Sequence, residues 1–242
     1  MARSPAPVKR LALAARCAKS RSEKWNSRAC GPEGIPGLSY PAASQNYGLQ
    51  PAMVDFDEAL AIAADRPDTR LIAIDGLPVS GKSTLAERFE TALGAQCVYL
   101  DDFVKPESQW PTRSVPAFPF EYIRYGEFLD AVKTIARGEL CRIQLYDWST
   151  GRLGDDYREV RPEGLIVIEG VSSLHPDLAP LYDLRFWVES DPATTLAASL
   201  ARGVGNWEQE WRELFLPSAE LYMRTNPQQR ADFSVAGRGA RM

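Results

Sequence analysis

One stretch constrains this chain more than any other: Gly76-Leu77-Pro78-Val79-Ser80-Gly81-Lys82-Ser83-Thr84. It follows a short apolar run, Leu71-Ile72-Ala73-Ile74, which ends in Asp75 and reads as a buried strand. It opens a helical pattern from Ser83 to Leu93 that stops at Gly94. Strand, glycine loop, helix, with the spacing G-x4-G-K-[ST], is the context of a phosphate-binding loop. The glycines let the backbone curl so that its N–H groups point at an anion. The helix N-terminus adds partial positive charge at the same place. On this mechanism Gly76, Pro78, Ser80, Gly81, Lys82, Ser83 and Thr84 hold a nucleoside triphosphate, ATP being the expected donor. Lys82 reaches the β- and γ-phosphates, and Ser83 ligates Mg²⁺.

The rest of the sequence supplies the scaffold such a loop needs. Val54 to Ile62 has helical spacing with acids in its first turn. Gln96 to Leu100, Leu165 to Ile168 and Leu184 to Val188 read as further buried strands, Cys141 to Tyr146 alternates as a strand, and Asp232 to Val235 makes a short last one. Helices are expected over Glu121 to Arg137, Pro192 to Arg202 and Glu210 to Met223, with a break at 203–209. Residues 103–120 form a loop rich in proline and aromatic residues, long enough to be functional. Apolar strands alternating with helices argue for a parallel sheet covered on both faces, with ligands at the carboxyl ends of the strands.

Those ends carry acids: Asp75, the pair Asp101-Asp102, Glu169, and Glu189 with Asp191. Three of these acidic ends are expected to converge on one edge. Adjacent carboxylates repel, so Asp101 and Asp102 need a cation or a proton; one of them can accept the proton of a substrate hydroxyl. Glu169 can hold a Mg²⁺-bound water, because Mg²⁺ uses few protein carboxylates and keeps several waters. Asp101, Ser83 and Glu169 are therefore the expected metal-side residues.

Composition sets the outer limits. Apolar residues make up 45% and charged residues 25% of the 242, the ordinary mix of a globular protein. A net charge of −4 gives no sign of a nucleic-acid partner, and no apolar run reaches the roughly 18 residues of a membrane helix. Residues 1–50 differ from the remainder: eight Lys/Arg stand against two Asp/Glu, leaving 20 against 30 beyond them. With little apolar surface to offset ordering, 1–50 read as a disordered basic extension, a targeting presequence being the other reading. The folded domain is expected over 51–242, with an acceptor-binding insertion around 103–163. Cys17, Cys30, Cys97 and Cys141 show no metal-ligand spacing; Cys97 and Cys141 sit in apolar runs and read as buried thiols of a cytoplasmic protein.

Six segments taken in order are more selective than the loop alone: IAIDGLPVSGKST (72–84), YLDDF (99–103), QLYDWSTGR (144–152), GLIVIEGVSSL (164–174), YDLRFWVESDPATTLAASLARG (182–203) and ADFSVAG (231–237). Together they resemble the uridine kinase and phosphoribulokinase-like group of P-loop kinases over roughly residues 70–236. The resemblance implies a P-loop NTPase fold of about five parallel strands in the order 2-3-1-4-5. It implies an ATP- and Mg²⁺-dependent kinase acting on a hydroxyl of a small, nucleoside-like metabolite of the uridine or cytidine type. By position it implies that Asp101 is the catalytic base, Glu169 the Mg²⁺-associated glutamate, and Arg202 the entry to a phosphate-covering lid. Tyr146, Asp147 and Arg152 fall in the segment that shapes the acceptor pocket.

The sequence also departs from that pattern. The histidine usual after Y-D-F is missing, its place taken by Ser149-Thr150-Gly151. Gly203 to Trp207 replaces the usual arginine-rich lid, which motivates the alternative reading of a nucleotide-binding regulatory protein. Trp207 and Trp211, four apart, are expected to anchor the lid. Trp148 reads as core or pocket wall, Arg113 and Arg124 as solvated surface ahead of an acceptor-site lining, and His175 as an ordinary loop histidine.

Overall fold

A computed structural model describes residues 51–111, 115–203 and 208–240, apart from the side chains of 192, 202, 203 and 208. The basic extension 1–50, Cys17, Cys30, Arg113, Trp207 and the side chain of Arg202 therefore lie outside the described residues.

Six parallel strands form one sheet in the order β3-β6-β2-β7-β8-β1. These are β1 (Ala52–Val54), β2 (Leu71–Gly76), β3 (Gln96–Tyr99), β6 (Ile166–Glu169), β7 (Leu184–Glu189) and β8 (Phe233–Ala236). Leaving β1 aside, the order is the expected 2-3-1-4-5. The expected count of about five is corrected to six, because Ala52–Val54 pairs in parallel with Phe233–Val235 at the edge. Three residues before an N-cap are too short to show a strand period. Strands β4 (Cys141–Asp147) and β5 (Arg152–Val160) stand apart as a separate antiparallel hairpin.

The sheet is buried on both faces, and period two assigns its side chains. Ile72 and Ile74 face α1 (Phe56–Ala64) and α2 (Lys82–Leu93), meeting Ala59, Leu85 and the fully buried Phe89. Leu71 and Ala73 face the other way, toward α3 (Tyr125–Ala136) and the hairpin. Burying a side chain such as Phe89 contributes about 1.5–3 kcal/mol. Helix α1 starts where Asp55 accepts the N–H groups of Asp57 and Glu58 at 2.8 Å, while Glu58 accepts that of Asp55 at 2.8 Å. This capping box is worth about 1 kcal/mol.

The chain then forms α4 (Pro192–Gly203), α5 (Glu208–Glu210), a π-turn (Trp211–Phe215) and α6 (Leu216–Met223). Helix α3 begins at Tyr125, four residues after the sequence expectation, because Lys105 and Arg124 take up the backbone around 122 and 103 instead. No helix among the described residues is long and apolar enough to cross a membrane.

Candidate active site

Sheet topology places the acids. Glu169 ends β6 between Ile74 on β2 and Tyr99 on β3. Its neighbour Gly170, at φ +155°, lets the chain pass the next segment: a Cβ there would lie 2.3 Å from Leu100 Cβ. That contact brings the turn carrying Asp101 and Asp102 against Glu169. Gly170→Ala is accordingly expected to destabilise the fold by about 1–3 kcal/mol, the range for overpacking and strained backbone. A thermal melt checks this; an unchanged Tm would show that Leu100 can withdraw freely.

The phosphate loop has the geometry its sequence demands. Gly76 has φ +151°, and a Cβ on it would sit 2.6 Å from the Val188 carbonyl oxygen. Val79 is in the left-handed region at φ +62°. Helix α2 begins after Gly81 without a side-chain cap, so its first N–H groups remain for an anion. Lys82 is buried, and its Nζ donates to the Leu77 carbonyl at 2.8 Å. Ser80 Oγ is buried without a hydrogen-bond partner, while Ser83 and Thr84 are exposed and Pro78 is half-buried. Behind the loop, Arg238 donates its N–H to the Ser80 carbonyl at 2.8 Å and its Nε to that of Val79 at 3.0 Å.

The four carboxylates near Lys82 differ in what holds them. Asp75 is fully buried and accepts from Gly76, Ser172, Leu174 and Tyr222. Asp102 is buried and takes Arg158 Nη1 at 2.6 Å. Asp101 is exposed. Glu169 is buried, and desolvation pushes its pKa up to about 7; Asp101, Asp75 and Asp102 push the same way, and Lys82 alone among these groups favours its charged form. With Asp75 and Asp102 held by their own donors, Glu169 and the nearby Asp101 are left as carboxylates short of positive charge. This suits a hard divalent cation such as Mg²⁺.

Tyr146, Asp147 and Arg152 sit in three different settings. Tyr146 is buried beside Glu107, with burial pushing its phenol up to about 12. Asp147 turns into its own hairpin, where its carboxylate accepts Ser149 N–H at 2.8 Å, Ser149 Oγ at 2.7 Å and Thr150 Oγ1 at 2.8 Å, which lowers its pKa. Arg152 is exposed opposite Asp147. Trp148 is 37% exposed with its ring edge-on to Tyr146, so it is not core. Arg124 is corrected from solvated surface: it is buried, donating to the carbonyls of Asp102 at 2.8 Å and Gln144 at 2.7 Å. His175 packs against Phe118 and Tyr125, and its Nδ1 accepts the Asp177 N–H at 3.1 Å. Trp211 lies edge-on to Phe215 at 5.4 Å, and Phe215 meets Trp110 and Tyr122 of the segment before α3.

Sequence reasoning missed Arg158, Tyr222 and Arg238, and placed Arg124 in the wrong setting. A surface cavity of about 400 Å³, lined in part by Ala63, Arg66, Arg70 and Leu165, lies at the amino ends of the strands, away from these residues.

No family model matches the chain. A uridine kinase of Clostridium perfringens (strain SM101 / Type A) is 21% identical over 140 residues, covering 55% of this chain and 67% of its own length. Uridine-cytidine kinase 2-B of Danio rerio is 24% identical over 165 residues, 60% of this chain and 61% of its own. A solved structure of a possible uridine kinase from Bacillus stearothermophilus aligns with a TM-score of 0.55 and 20% identity, over 74% of this chain and 96% of that one. A putative fructose transport system kinase from Silicibacter sp. TM1040 aligns with a TM-score of 0.50 and 22% identity, over 75% of this chain and 98% of that one.

Proposed function

We propose that this chain, uridine kinase-like in sequence and a P-loop kinase in fold, transfers the γ-phosphoryl group of ATP to a hydroxyl of a small, nucleoside-like metabolite. One observation carries the reading. The exposed carboxylate of Asp101 and the buried one of Glu169 stand with Lys82 at the carboxyl edge of the sheet, while Arg158 diverts Asp102. Phosphoryl transfer asks little covalent chemistry of a protein, so placement and charge suffice. The loop N–H groups and Lys82 bind the triphosphate, and Lys82 must leave the Leu77 carbonyl to do so. Asp101 accepts the acceptor's hydroxyl proton. Ser83, Glu169 and Asp101 would hold Mg²⁺, which when bound neutralises charge on the β- and γ-oxygens.

Similarity to proteins named uridine kinase and uridine-cytidine kinase supports a nucleoside acceptor. The stretch Ser149-Thr150-Gly151 favours a departure from pyrimidine reading, since both hydroxyls cap Asp147. The burial of the Cys97 and Cys141 side chains in the core supports a reducing, cytoplasmic setting. Incubation of the protein with ATP, Mg²⁺ and a panel of nucleosides and sugars, read by mass spectrometry, tests the proposal. The expected outcome is one acceptor gaining a phosphate with equal loss of ATP. Tight ATP binding without turnover on any acceptor would favour the regulatory reading instead.

A further inference from the structure

Asp75 takes no part in the transfer described above, yet it is fully buried directly behind the phosphate loop. An isolated carboxylate there is costly to bury and would repel the phosphates bound in front of it. Its donors come from three separate segments. Gly76, the first residue of the loop, gives its N–H at 2.6 Å. Ser172 and Leu174, in the turn just after Glu169-Gly170, give theirs at 3.1 and 2.8 Å. The Tyr222 hydroxyl, from α6, donates at 2.5 Å. Ser172 holds this place at φ +88°, a strained conformation for a non-glycine residue.

Tyr222 leads onward to the acceptor side. Its ring packs on Phe118 at 4.9 Å, and Ser218, one turn earlier on α6, accepts the Ala117 N–H at 3.2 Å. The π-turn before α6 sets Phe215 against Tyr122 at 4.7 Å and Trp110 at 5.7 Å. One carboxylate thus touches the phosphate loop, the Glu169 turn and the helix that walls the acceptor loop.

We propose that Asp75 is a positioning residue that couples nucleotide binding at the phosphate loop to the packing of 211–223 against the acceptor loop, with Tyr222 as the relay. The inference rests on the reading that Gly76 to Thr84 binds nucleotide. Burial pushes the Asp75 carboxyl above the usual carboxylate range, and Lys82, within electrostatic reach, favours its charged form against that push. A triphosphate draws that positive charge away, and Asp75 then leans more heavily on its four donors, tightening Tyr222 and the wall it carries. By linkage the coupling is reciprocal, so an acceptor held by that wall strengthens nucleotide binding.

Hydrogen exchange of the full chain tests this, with Mg²⁺ and a non-hydrolysable ATP analogue as the probe. In the wild type the analogue is expected to slow exchange at 76–86 and also at 211–223. Tyr222→Phe removes only the hydroxyl; it should keep the slowing at 76–86 and lose about 5-fold or more of that at 211–223, the low end of ordinary coupling. Asp75→Asn should give the same loss from the other end. A merely structural stitch would speed exchange at 211–223 equally with and without the analogue, leaving their ratio as in the wild type, and that result overturns the proposal. Absence of slowing at 211–223 in the wild type overturns it without any variant. Absence of slowing at 76–86 sinks the nucleotide-binding reading as well, which separates the two failures.

Discussion

Lys82→Ala is expected to bring triphosphate turnover to background, a loss of at least the 10²–10³-fold typical of removing one preorganised electrostatic contact. The site has carboxylates in excess: Asp75, Asp101 and Asp102 all act on Glu169, and Lys82 is the cation that favours the charged form of both Asp75 and Glu169. Arg158 cannot substitute, because it is engaged by Asp102 at 2.6 Å and by the Cys97 carbonyl at 2.9 Å. Without Lys82 a triphosphate would approach a strongly negative edge with only backbone N–H groups to receive it. The substitution also frees the Leu77 carbonyl, which loses its 2.8 Å donor at a stability cost of about 1 kcal/mol. Turnover, analogue affinity and Tm should be measured together. A melt close to wild type with turnover lost is the expected pattern. Unchanged turnover would exclude this loop as the phosphate site.

The parallel sheet and the loop were legible because each rests on local pattern, whereas the strand order came only with the family resemblance. Leu71-Ile72-Ala73-Ile74 is apolar throughout since both faces of β2 are covered, and Gly76 and Gly81 stand where the backbone needs positive φ. What stayed hidden is long-range. The capping box at Asp55 showed only as acids in a first turn, and the strand before it gains its character solely from pairing with β8. Tyr146, Asp147 and Arg152 lie close in sequence, but the hairpin sends them to different places: one inward, one into its own turn, one to solvent. Arg124 looked like a surface residue because nothing in its neighbourhood announces that its partners are carbonyls at 102 and 144. Asp75 was visible as an acidic strand end, but Tyr222 lies 147 positions away.

Asp101→Asn is expected to lower turnover by about 10²–10⁴-fold while leaving nucleotide affinity nearly intact, because it removes proton acceptance and little volume. The sequence register already favours Asp101 as the first residue of D-x-F, and the fold gives a physical reason for separating the neighbours. They lie in a 3₁₀ turn, Leu100–Phe103, which sends their side chains to different sides. Asp102 is buried and paired with Arg158, whose guanidinium reaches across from β5. A carboxylate held this way is a poor base, since taking a proton would cost it the ion pair. Asp102→Asn should therefore act mainly on stability, by about 1–3 kcal/mol for weakening a charged hydrogen bond. Its effect on turnover should be the smaller of the two. Both variants should be compared on one verified acceptor, with melting curves and analogue affinity measured beside the rates. If Asp102→Asn is the crippled enzyme at unchanged Tm, the base is Asp102 and Arg158 must release it during turnover. If both variants turn over normally, no general base operates at this edge, and placement of the γ-phosphoryl group by Lys82 and the loop has to account for the rate alone.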